Sequence, residues 1–239
     1  MPILQTVLNN HIADYGQGIF ANGINRNQLY HESVLVNSNH KILKEYLIKI
    51  LMWGDFDRVV GRFHGTTSQA VINGINDFES YSRIFFEILE NQDLSINKKF
   101  NQFKRGRLRI SNVGFAYFTK ILHFYSVGNN HDQKMLILDK WLIYAWASLI
   151  IERQIQEQYL ILGKILRVKD NILYVRQING ALYEKFNDTM REIADDLGLE
   201  IHRFEELIFG WDRRVENPNF NNPRFEILNV LQNNIDLIV

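Results

Sequence analysis

Lys120, within Phe118-Thr119-Lys120-Ile121-Leu122, and Asp139, within Ile137-Leu138-Asp139-Lys140-Trp141, are an amine and a carboxylate in largely apolar surroundings, 19 residues apart. An amine attacks carbon only when neutral, so a lysine among few solvated neighbours, its pKa lowered by burial, can act as a nucleophile and pass to a Schiff base. A fixed carboxylate stabilises the positive charge that develops on the attacked carbon as a bond breaks. Ala116 and His123 share the helical face of Lys120, and the small side chain of Ala116 leaves an approach on one side. Each residue also has a structural reading: a lysine that snorkels to water, and an aspartate that caps the first amides of a helix. A capping aspartate is held rigidly, so its two readings are compatible.

Cations concentrate just upstream. Lys98, Lys99, Lys104, Arg105, Arg107 and Arg109 occur with no acidic residue between Lys98 and Arg109. Such a run is either a solvated helix face or a phosphate contact, in which each cation displaces a condensed counterion and gains an affinity that fades with salt. Ile110-Ser111-Asn112-Val113-Gly114 follows, then another helical pattern. Two turn-forming residues around Val113, between two helices, have the form of a helix-hairpin-helix element. There Asn or Gly accepts positive φ, and the amides at the start of the second helix face a phosphate. Asn112 stands for the first glycine and Ser111 for the proline of the generic Leu-Pro-Gly-Val-Gly hairpin.

With Lys120 and Asp139 placed after this hairpin, the sequence resembles the helix-hairpin-helix DNA glycosylase superfamily, and within it bacterial proteins with an 8-oxoguanine DNA glycosylase fold. The likeness is carried by Val113 to Lys120, Leu122, Phe124 and Leu138-Asp139, and by Tyr183 through Met190, Ala194 and Gly198 to Glu206-Leu207-Ile208-Phe209. It spans roughly residues 40 to 210. Lys120 lies six residues after Gly114, one turn further along the same face than in the commonest members, and Trp141 stands where oxidised-guanine enzymes often carry His.

The resemblance implies a mostly α fold with a helix-hairpin-helix domain, and excision of an oxidised purine-like base from a flipped-out nucleotide. It implies that Lys120 attacks C1′, with associated AP lyase chemistry, and that Asp139 stabilises the sugar cation. Lys104, Arg105, Arg107, Arg109, Asn112, Val113 and Gly114 would bind DNA. The subgroup also occurs among accessory genes of antiphage defence operons. A non-catalytic or specialised nucleic-acid or nucleotide-binding accessory role, with protein partners from such an operon, is therefore the alternative, and a helical interaction protein without a nucleic-acid role is a third.

Other constellations are weaker. The seven histidines show no His-x3-His or His-Glu-x2-His spacing, so neither a metal site nor any other cofactor is expected. Asp55 and Asp57 follow Gly54 as parts of a turn, and His64-Gly65-Thr66-Thr67-Ser68 reads as a loop and helix cap. Trp211-Asp212-Arg213-Arg214 reads as an exposed turn, with base stacking as its functional alternative.

The elements that must position these groups are helical. The three prolines, Pro2, Pro218 and Pro223, leave the intervening chain free of the strongest helix breaker. Three- and four-residue apolar steps predict helices over 40–53, from a cap at Asp77, from a cap at Ser95, over 115–127, after Asp139, through Leu182 to Leu197 with a stop at Gly198, over 204–209 and over 223–232. Residues 159–177 fit one short β-hairpin, although periodicity does not exclude a helix. No repeat or linker divides the sequence, which reads as a single helical domain over 1–239 that allows two lobes with a cleft near 113–139. Lys plus Arg and Asp plus Glu both number 27, which excludes a uniformly basic coat protein, and the absence of cysteine excludes disulfide scaffolds and thiolate metal sites. With no signal peptide visible at the start and no apolar run of membrane-spanning length, a soluble, cytoplasmic protein is expected.

Overall fold

Side-chain caps start several of the helices. In the computed structural model, which describes residues 2–12, 20–21, 23–36, 39–170, 172–209 and 223–238, Asn39, Thr67, Asp77 and Ser95 each accept from an amide one to three residues into the helix that follows. The order is α1 (Pro2–Ile12), β1 (Phe20–Ala21), β2 (Ile24–Asn25), α2 (Arg26–Leu35), α3 (His40–Trp53), α4 (Arg62–His64), α5 (Ser68–Asn73), α6 (Phe78–Leu89), α7 (Ile96–Arg105) and α8 (Phe115–Gly128). Then come α9 (Lys140–Glu152), α10 (Tyr159–Ile165), β3 (Leu166–Lys169), β4 (Ile172–Val175), α11 (Gly180–Asp196), α12 (Ile201–Phe209) and α13 (Pro223–Asn233). The fold is mostly α. The strands among the described residues form two antiparallel pairs, β1 with β2 and β3 with β4. Gly198, at φ 66°, adopts the left-handed conformation that ends a helix and that a side chain would strain.

The chain divides into two compact units, Gln17–Leu138 with Asn179–Glu184, and Met1–Gly16 with Asp139–Ile178 and Lys185–Val239. The first, the hairpin unit, packs α2, α3 and α5 to α8 around an aromatic core, with α4 exposed. Phe118 of α8 meets Phe100 edge-on at 4.9 Å and stacks on Phe103 at 5.8 Å, which binds α7 to α8. Tyr183 lies 4.8 Å from Phe100, and Glu184 accepts from the Asn97 amide at 3.2 Å. Leu43, Leu47, Ile50 and Leu51 form the buried stripe of α3, each worth about 1.5–3 kcal/mol of transfer free energy.

In the second unit α9 is the core. Residues 142–151 are all buried, as the nearly continuous apolar run requires. Ser148, the polar residue inside it, donates to Tyr144 O at 2.8 Å and Ile227 O at 3.0 Å. The β3–β4 hairpin pairs Leu166 with Val175 and Lys169 with Ile172, and the Tyr144 hydroxyl donates to Leu173 O at 2.7 Å, tying the hairpin to α9. The expected stretch 159–177 thus contains a helix and a hairpin in succession. Among the described residues no helix is long and apolar enough to cross a membrane.

Candidate active site

The segment between α7 and α8 is fixed by two buried residues, Leu108 and Ile110, which turn the alternating side chains outward. Arg105, Arg107, Arg109, Ser111 and Asn112 are exposed, while Lys104 and Val113 are half-buried. Asn112 takes φ 63°, the left-handed conformation for which Asn substitutes for Gly, and the Val113 amide closes the turn on Ile110 O at 3.2 Å. Gly114 then heads α8 in extended conformation, and its carbonyl accepts from the amides of Tyr117 and Phe118. No side chain caps α8 among the described residues, so its first amides face outward, the geometry suited to an anion.

Lys99 departs from the sequence reading. It is fully buried, donates to Leu89 O at 3.4 Å, and does not join the exposed cations. Burial pushes its amine below the ordinary lysine value, with Glu90 opposing. The helical period explains this: Lys99 shares a face with Phe100, Phe103 and Ile96, whereas Lys98 is on the other side. Arg107 forms an exposed ion pair with Glu87 at 3.2 Å, an arrangement of little energetic weight.

Lys120 is 6% exposed, so it does not snorkel to water. Its Nζ donates to Ala116 O at 2.6 Å and sits 5.2 Å from the Tyr117 ring centroid. Burial raises the Tyr117 phenol above its usual value, and Asp55 adds to this. The methylenes of Lys120 pass close to Gly54: a Cβ there would lie 3.0 Å from Lys120 Cδ, 3.2 Å from Cε and 3.2 Å from Tyr117 Cδ1. Gly54→Ala, at an ordinary φ of −71°, is therefore expected to fold but to displace the lysine chain, costing about 1–3 kcal/mol by overpacking. A lowered melting temperature together with slower Schiff-base trapping checks this.

Asp139 is the N-cap of α9, half-buried, its Oδ1 accepting from the Leu142 amide at 2.9 Å and its carbonyl from Ile143 at 3.0 Å. One oxygen of the carboxylate is thus engaged in holding the helix, while Oδ2 remains for other contacts. The residues leading to it are held to α8 inside the hairpin unit. The Thr119 hydroxyl donates to Phe115 O at 2.7 Å and accepts from the Leu138 amide at 3.0 Å, and Ser126 accepts from the Met135 amide at 2.9 Å.

Several neighbours of these groups have partners that their sequence positions do not show. His123 lies in a buried network, accepting from Arg26 at 2.7 Å with the Tyr30 hydroxyl 2.9 Å away, while its Nδ1 faces Met135 O at 2.8 Å. Arg224 stacks over Trp141 at 4.6 Å, giving the residue two beyond Asp139 a cationic partner. Gly54 ends α3 as its sequence position suggests, but its approach to Lys120, like the bond between Thr119 and Leu138, involves a distant segment and has no local signal. Asp55 lies in a turn, and Asp57 is taken up by the Ser68 amide and hydroxyl, both at 2.5 Å. Trp211-Asp212-Arg213-Arg214 lies outside the described residues.

Two helices joined by a left-handed turn, with exposed arginines on the turn and a buried lysine on the second helix, define a mostly helical protein of the helix-hairpin-helix type. The family described as "Putative 8-oxoguanine DNA glycosylase OGG-like protein" matches residues 9–209, and the chain belongs to that family. No curated protein and no solved structure matches it.

Proposed function

We propose that the protein is a DNA glycosylase that releases a modified, oxidised purine-like base, with associated AP lyase activity. The hairpin amides and Arg105, Arg107 and Arg109, with Lys104, Asn112, Val113 and Gly114, hold the phosphate backbone while a nucleotide is everted. Asp139 stabilises the oxocarbenium-like sugar as the bond from C1′ to the base breaks. Lys120 Nζ then bonds to C1′, opening the sugar to a Schiff base, and removal of a proton from C2′ expels the 3′ phosphate. The observation that carries the reading is the burial of Lys120 on the helix that follows the hairpin, in a chain of this family. Asp139 supports it as a carboxylate held rigid by its capping bond.

Borohydride reduction during incubation with duplexes containing 8-oxoguanine or an abasic site tests the reading, since it fixes the Schiff base as a covalent adduct. An adduct is expected; base release without one would leave a monofunctional glycosylase, and salt-dependent binding with neither would overturn catalysis. Arg109→Ala is expected to weaken duplex binding at all sequences and to reduce the slope of log K against log salt by about 1. Fluorescence anisotropy across a salt series measures it.

A further inference from the structure

Between Tyr159 and Ile178 the chain carries Lys164, Arg167, Lys169 and Arg176 against one acid, Asp170, although the whole sequence is balanced at 27 cations and 27 anions. The β3–β4 hairpin sorts these residues by face. Its cross-strand pairs Arg167 with Tyr174 and Lys169 with Ile172 share one side, because alternate residues of paired strands point the same way. On that side Ile172 is 54% exposed and Tyr174 37%, with Arg167 and Lys169 exposed beside them. Leu166 is buried on the other side, and Val168, Leu173 and Val175 are half-buried. The outward face is preorganised. The Arg167 guanidinium lies 5.2 Å from the Tyr174 ring centroid. Arg176, exposed just past β4, donates from Nε to Leu166 O at 2.9 Å, and its amide extends the ladder to Ile165 O at 2.8 Å. Neither Arg167 nor Lys169 forms an ion pair among the described residues.

A row of cations on one strand, beside an exposed ring and an exposed aliphatic side chain on the next, complements a nucleic-acid backbone, in which phosphates alternate with sugars. Alternate side chains of a strand stand about 6.8 Å apart, close to the step between successive phosphates along one nucleic-acid strand. A two-stranded ribbon also has the width that the major groove of duplex DNA admits. Cations without an internal partner gain most from this contact, since each releases a condensed counterion and breaks no ion pair. An anionic membrane would attract the same charges, but this face offers only Ile172 and one ring to bury, too little apolar area to lie in an acyl boundary. We propose that the outward face of the β3–β4 hairpin is a further surface for duplex DNA, where Arg167, Lys169 and Arg176 meet phosphates and Tyr174 and Ile172 pack on the sugars. The proposal deepens the glycosylase reading and rests on its assignment of DNA as substrate. It gives the unit that bears Asp139 a DNA contact of its own, separate from Arg105, Arg107 and Arg109.

Anisotropy of a fluorescent duplex, titrated with the full chain over a salt series, tests this without requiring base release. Joint replacement Arg167→Ala and Lys169→Ala is expected to weaken binding about tenfold or more and to reduce the slope of log K against log salt by about 2. Both side chains are exposed, so the melting temperature should stay near wild type. Tyr174→Ala is expected to weaken binding several-fold at an unchanged salt slope, and Tyr174→Phe to bind as wild type does, because the ring makes the contact. Undiminished binding by the double variant, in an assay where Arg109→Ala binds more weakly, would overturn this surface and leave the glycosylase reading standing. A double variant that loses affinity, with a wild type that releases no base from a lesion duplex, would uphold the surface and remove the excision reading alone. Binding of phosphatidylserine vesicles that the double variant loses, with its duplex binding intact, would assign the face to a membrane and overturn the proposal. A wild type that binds no duplex would overturn both.

Discussion

Lys120→Gln is expected to eliminate the borohydride-trapped adduct and to lower base release on the order of a thousandfold or more, as loss of an essential nucleophile does. Glutamine is close to lysine in length and can still donate to Ala116 O, the bond that Nζ makes at 2.6 Å. The neutral amide also sits more readily than a charge in a site 6% exposed, so melting temperature and far-ultraviolet circular dichroism should stay near wild type. That pairing separates the two roles of the residue. A lysine with only a packing role would give an unchanged adduct, or would lose activity in step with stability.

The second large effect is expected at the carboxylate. Asp139→Asn preserves the capping oxygen that accepts from Leu142 at 2.9 Å, and Asn caps helices about as well as Asp. Stability should therefore move by only a few tenths of a kcal/mol, whereas base release should fall about 10²–10³-fold with the charge that opposes the sugar cation. Single-turnover base release on a lesion duplex, set beside thermal denaturation, makes the measurement. Asp139→Ala is the contrasting variant, expected to lose about 1 kcal/mol of stability as well. Equal activity in Asp139→Asn and wild type would remove the residue from the chemistry and leave it as a cap.

Much of this architecture was legible because caps and apolar periods are local. Asp77, Ser95, Thr67 and Asp139 each mark a helix start that a few neighbouring residues suffice to reveal. α2 was not legible: its inward face is Arg26, Leu29 and Ser33, and two polar side chains at helical spacing look like a solvated surface until their partners are known. Lys99 failed in the same way, a charge counted as exposed that the period of α7 turns inward. The burial of Lys120 could be read from its apolar flanks. The contact that crowds it could not, because Gly54 is remote in sequence and contributes only the absence of a side chain.

The interleaving of the two units has a consequence for biosynthesis. The unit bearing Lys120 is almost complete when residue 138 leaves the ribosome and lacks only the six residues Asn179–Glu184, whereas the unit bearing Asp139 draws on both termini and must await translation of Lys185–Val239. Neither unit can be released as a contiguous fragment by a single proteolytic cut, so dissection by truncation would report on broken cores rather than on separable activities.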